Sequence, residues 1–150
     1  MRPSEKDGAD HIFIKDEDVN TYKDNIAAYT EINGYKYFTT FDVIDDSDIY
    51  VIDPKGIVDL KERCKDRYRF IEIYIRTPLK IAEARAKKRG DSLEEFKKRY
   101  VDEHQQFADY EMKHEFHYHL RNDRPFEESV ERVCKWIQIE LDKENEKDET

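Results

Sequence analysis

From Asp48 onward, short apolar runs alternate with helix-patterned segments, and that alternation limits the available folds more than any other feature of the chain. Asp48-Ile-Tyr-Val-Ile-Asp53 reads as an apolar strand, and Pro54 to Cys64 as a helix with proline in its first turn. Arg69 to Ile75 is a second strand, with Ile71, Ile73 and Ile75 on one face. Pro78 to Lys88 reads as a helix stopped by Gly90, and Ser92-Leu-Glu-Glu95 as a capping box opening a long helix towards His114. Phe116 to Leu120 is a third strand. From Asp123 to about Lys143, Phe126, Val130, Val133, Ile137 and Leu141 form one helical stripe, with Glu127 and Glu128 suiting the positive end of the dipole. Strands alternating with helices imply an α/β protein whose parallel sheet is covered on both faces.

The front third carries a different pattern. His11 to Ile14 reads as a short strand and Glu17 as the start of a polar helix. Ala27 to Ile32 and Tyr35 to Thr39 flank Asn33-Gly34, a strong hairpin signal because both turn positions need positive φ. This is a small β-rich insertion in front of the α/β part. Asp142 to Thr150 has no apolar anchor and reads as a frayed helix end or a disordered tail.

Hydrophobic residues make up 37% of the chain and charged residues 42%, a thin supply for a core that ten Tyr and eight Phe partly offset by area. The formal charge of −9 argues against nucleic acid as a partner, since phosphate backbones select basic surfaces. Arg76 to Arg99 nevertheless carries +5, leaving −14 elsewhere, which suits a small phosphorylated ligand. No apolar run nears the ~20 residues of a membrane span, and no signal-peptide pattern opens the chain, so no membrane partner is expected. Cys64 and Cys134 lie far apart without C-x-x-C spacing, which reads as a cytoplasmic protein with helix-borne core thiols. His117 and His119 share a strand face near His114, but no thiolate or patterned acid completes a ligand set, so no metal site is assigned.

Five local signatures then occur in one order. Arg2 with Glu5, Gly8, Asp10 and Phe13 matches the tail of a phosphate-gripping segment. Asn33-Gly34-Tyr35-Lys36-Tyr37-Phe38-Thr39 matches G-x-x-Y-G-[ST], and Asp48 to Gly56 matches L-D-I-D-x-Q-G. Arg85 and Lys88-Arg89-Gly90-Asp91-Ser92 with Arg99 match an arginine-rich lid, and Asn122-Asp123 matches a terminal N-D. Over Arg2 to about Val133 the chain resembles the guanylate kinase family, from its GMP-binding subdomain to its last helix. The resemblance implies a P-loop nucleoside monophosphate kinase-like parallel sheet with a small GMP-binding insertion. It implies a monophosphate subdomain over 1–45, core and lid over 46–141, and a charged tail over 142–150.

Residue by residue, the resemblance implies that Arg2, His11 and Tyr37 grip the phosphate of GMP. Arginine supplies a bidentate fork for it, and a phenol or imidazole supplies a further donor. Asp53 is the candidate acceptor for the guanine N–H edge, with Thr39 as its hydroxyl partner. Arg85, Arg89 and Arg99 correspond to catalytic lid arginines that stabilise charge on a transferring phosphoryl group, and Asn122 lies on the ATP side. Plainer readings stand beside these. Asp53 suits an N-cap before the helix from Pro54, Tyr37 a cross-strand aromatic pair, and the basic run a solvated helix face.

The sequence also departs from the family pattern. No G-x-x-x-x-G-K-[ST] occurs, Ala28 falls where spacing from Gly34 puts the guanine-reading glutamate, and Phe38 replaces the glycine after the second tyrosine. The family's first strand and P-loop helix are missing from the matched stretch. ATP and Mg²⁺ serve the family, but neither is expected to bind this chain tightly. The expectation is monophosphate binding, GMP first, without kinase activity from this chain alone; the alternative is a non-catalytic interaction module taking a peptide in the same cleft. A sheet short of a strand is expected to be marginally stable, or to need a protein partner covering the gap.

Overall fold

The computed structural model describes residues 11–32 and 34–148, so the expectations placed on Arg2, Glu5, Gly8, Asp10, Asn33 and the last two residues lie outside it. The chain forms two compact units, Met1–Tyr68 and Arg69–Thr150, parting after Tyr68 where the sequence reading divides it at 45/46.

The first unit is built on a hairpin. Strands β1 (Ile26–Ile32) and β2 (Tyr35–Thr40) pair antiparallel, with Ile32 opposite Tyr35, Thr30 opposite Tyr37 and Ala28 opposite Thr39. The polar segment before β1 is a 3-10 helix, Asp16–Asn25. A short helix α1 (Phe41–Asp45) follows β2 and has no counterpart in the sequence reading. Helix α2 (Pro54–Cys64) has the expected bounds, capped by Asp53 and started by Pro54. It packs on β1, where Asp59 Oδ2 accepts from the Tyr29 N–H at 2.7 Å. Ala27, Ala28, Ile44, Leu60 and Cys64 are buried in this unit.

Two expected strands are corrected here. Residues 48–53 form no strand, and Val51 and Ile49 are 94% and 70% exposed. A strand needs a neighbour for its N–H and C=O groups, and among the described residues none pairs with this segment. Around His11 to Ile14 there is a single bridge at His11 rather than a strand.

In the second unit, β3 (Ile73–Arg76) and β4 (Tyr118–Arg121) run parallel, Ile73 opposite Tyr118 and Ile75 opposite Leu120. The expected parallel sheet is therefore a parallel pair among the described residues, separate from the hairpin. Helix α3 (Leu79–Arg89) ends at Gly90, whose φ of 97° only glycine adopts without cost. Helix α4 (Leu93–Glu111) opens with the expected capping box between Ser92 and Glu95.

Ile71, Ile73 and Tyr74 are half-buried and Glu72, just before β3, is buried, so the expected isoleucine face packs only in part. Tyr74 stacks on Phe107 of α4 at 4.6 Å and lies 4.9 Å from Phe116, while Ile75 is exposed. Helix α5 (Phe126–Asp148) runs on through most of the charged segment expected to fray. Its apolar stripe is partly rotated from the expected face: Val133 and Ile137 are half-buried as expected, but Phe126 is 76% exposed and Leu141 half exposed, whereas Glu140 is buried. Trp136, stacked on Tyr118 at 4.8 Å, together with Glu140 sets that rotation. Cys64 is buried as expected, but Cys134 is exposed, because it lies off the packed side of α5. No helix among the described residues is long and apolar enough to cross a membrane.

Candidate functional site

The register of the hairpin decides which side chains share a face. Residues directly opposite each other point the same way, and so do residues two apart. Ala28, Thr30, Tyr37 and Thr39 therefore line one face of β1–β2. Tyr37 meets the His11 ring with centroids 5.2 Å apart. Thr30 donates its hydroxyl to Asp53 Oδ2 at 3.1 Å, and the same oxygen accepts the Lys55 N–H at 3.3 Å as the N-cap of α2. Four of the sequence-derived positions, His11, Tyr37, Thr39 and Asp53, thus gather on or beside one hairpin face. Asp53 is both a helix cap and a member of this group, and its Oδ1 lies outside both of those bonds.

Thr39 is the chemically odd member. It is 6% exposed, and its Oγ1 is buried without a hydrogen-bond partner among the described residues. A buried hydroxyl left unpaired costs about 1–3 kcal/mol. Opposite it, Ala28 offers only a methyl group. Sequence reasoning missed Thr30, which a two-residue turn at 33–34 already places opposite Tyr37.

The lid arginines belong to the second unit and are not equivalent. Arg89 ends α3, and its guanidinium donates through Nε and Nη2 to the two carboxylate oxygens of Asp91. That hydrogen bond raises the Arg89 pKa and holds the Asp91 carboxyl below its usual range. Arg99, in the second turn of α4, pairs with Glu103 at 3.2 Å while its Nε is buried without a partner among the described residues. Arg85 is exposed on α3 and has no ion pair among the described residues. Both carboxylate partners were legible from spacing, Glu103 by the i,i+4 rule and Asp91 from its place just after Gly90. Asn122 closes the β3–β4 ladder, its N–H donating to the Arg76 carbonyl at 2.9 Å.

The histidines serve as ring partners and acceptors. His114 stacks on Tyr110 at 4.4 Å, His119 meets Tyr74 and Phe116 edge-on, and His117 Nδ1 accepts the Glu72 N–H at 3.1 Å. Tyr110 donates to the buried Glu72 carboxylate at 2.5 Å, and desolvation with that bond pushes the phenol's pKa up. No group of three or more His, Cys, Asp or Glu among the described residues could hold a metal ion. The 150 residues contain no G-x-x-x-x-G-K-[ST] sequence.

No protein-family model matches the sequence, and no curated protein matches it. Among solved structures the chain is similar to guanylate kinase from Anaplasma phagocytophilum. The TM-score is 0.64 at 22% identity, covering 93% of this chain and 70% of that one. The chain has a guanylate kinase-like fold.

Proposed function

We propose that this chain binds a nucleoside monophosphate, GMP before others, on the hairpin face that carries Tyr37, Thr39 and the Thr30–Asp53 pair. The observation that carries this reading is the Thr39 hydroxyl, buried and unpaired on that face. A ligand carbonyl or N–H would satisfy it, as a buried polar group requires. Asp53 Oδ1 is the acceptor for the N–H edge of a guanine, and His11 and Tyr37 supply donors towards phosphate. The guanylate kinase-like fold supports the substrate class. Arg85, Arg89 and Arg99 are the proposed contributors to phosphoryl chemistry, and Asn122 remains proposed for the ATP side.

With the phosphate cradle absent from the sequence, binding rather than transfer is the proposed activity of this chain. The test is a thermal shift with GMP, AMP and dTMP. Ligand at a hundred times its Kd adds about 2.7 kcal/mol to the folded state. GMP is expected to raise Tm more than AMP or dTMP do, and Thr39→Val to abolish that rise. A folded sample that responds to none of the three overturns the reading and favours a non-catalytic interaction module.

A further inference from the structure

We propose that α5 carries a self-association surface whose partner is the same helix of a second copy of this chain, lying antiparallel to it. Phe126, Val130, Cys134, Ile137 and Leu141 recur every three or four residues, so they share one side of α5 over about 22 Å at ~1.5 Å per residue. Phe126, Val130, Cys134 and Leu141 are exposed and Ile137 is half-buried. The side that anchors the helix is a different one. Trp136 stacks on Tyr118 and Glu140 accepts the Tyr118 hydroxyl, and both lie about a quarter turn round the helix from this stripe. A contiguous exposed apolar strip, on a helix of a chain that is 42% charged, is a surface suited to a partner.

The order of residues along the stripe identifies that partner. Phe126 and Leu141 lie equally far from the midpoint between Val133 and Cys134, and so do Val130 and Ile137. Two antiparallel copies crossing at that midpoint set Phe126 against Leu141 and Val130 against Ile137 of the second copy, with Cys134 beside the axis. The outer flank, away from Trp136, repeats the match. Glu131 and Lys135 pair along the helix at 2.8 Å and are largely exposed. In the antiparallel register Glu131 of each copy comes level with Lys135 of the other, and Glu127 with Gln138, so charges are matched across the seam. A parallel pair would instead set Glu131 against Glu131. A two-fold contact demands this self-complementarity, whereas an unrelated helix or peptide does not. The seam is one helix wide, at the low end of specific interfaces, and a dimer of micromolar Kd is expected.

Sedimentation of the full chain over a concentration series tests this, and a reversible monomer–dimer equilibrium is expected. Val130→Glu should raise its Kd about tenfold or more, because the two-fold buries the added carboxylate twice, with far-UV circular dichroism unchanged. Glu131→Lys and Lys135→Glu should each weaken the dimer alone, while an equimolar mixture of the two variants restores it as a heterodimer. Helix stability cannot produce that recovery, since each copy keeps its own substituted helix. A short bismaleimide should link Cys134 to its counterpart and leave the buried Cys64 unlinked. A chain still monomeric at about 1 mM overturns the proposal. So does a dimer indifferent to Val130→Glu, or a mixture that associates no better than either variant alone. A monomer that Val130→Glu destabilises overturns it too, because a segment of the same chain then covers the stripe. None of these readouts uses nucleotide, so the reading of the hairpin face stands or falls separately.

Discussion

Thr39 places a hydroxyl in a buried position where nothing in the described protein meets it. Replacing it with valine keeps the shape and removes the unpaired group, so Thr39→Val is expected to leave stability unchanged or raise it by up to about 1 kcal/mol. Urea unfolding of the free protein checks this, and a clear loss of stability would mean that the hydroxyl has a partner. Asp53 behaves differently because it already works as a cap. Asp53→Ala should cost about 1 kcal/mol through α2 alone, whatever its effect on ligand. A comparison of the two variants therefore separates a binding residue from a folding residue on the same face.

Among the elements, α2 and α5 are held by different devices. In α2, a Cβ added at Gly56 would lie 2.7 Å from Ile52 Cγ1 and 2.8 Å from Asp53 Oδ1. Helix propensity favours alanine over glycine by about 1 kcal/mol, but the clash works against it. Gly56→Ala is expected to destabilise by about 1–3 kcal/mol, the usual scale of overpacking, and to weaken GMP binding by displacing Asp53. A gain in Tm would show that the helix start relaxes freely.

Helix α5 is tied down by Glu140, which accepts from Lys143 and Tyr118 at 2.7 Å and from Arg69 at 2.5 Å. The Lys143 and Tyr118 bonds lower its pKa to about 2 from an ordinary 4.5. A depressed folded-state pKa contributes stability above the unfolded value and loses it as pH falls through the folded one. The second unit is therefore expected to lose stability between about pH 4.5 and 2, and Glu140→Gln to flatten that loss. Equal acid sensitivity of variant and wild type in an acid titration followed by Trp136 fluorescence would reject the linkage.

At the scale of the whole molecule, each unit has its own buried residues, and no large side chain among the described residues is fully buried. Small cores give small stability, and separate cores unfold separately. Calorimetry is expected to resolve two low transitions, of which GMP shifts only the one belonging to Met1–Tyr68. A single transition moved as a whole by GMP would show the two units to be one cooperative body. The apolar segment 48–53 adds to this thinness, because Ile49 and Val51 are exposed.

Local chemistry made much of this legible in the amino-acid order alone. Pro54, Gly90 and the Ser92–Glu95 box act within a few residues, so the bounds of α2, the end of α3 and the start of α4 followed from them. The spacing of Tyr37 and Thr39 from the turn likewise put them on one face. What needs a distant neighbour was not legible. Whether 48–53 becomes a strand depends on a ladder partner, and which side of α5 is packed depends on Tyr118 meeting Trp136 and Glu140. That Thr39 is left unpaired depends on Ala28 standing across from it. Periodicity specifies which residues can share a face, but burial and pairing are properties of the space between elements, and only tertiary structure decides what occupies that space.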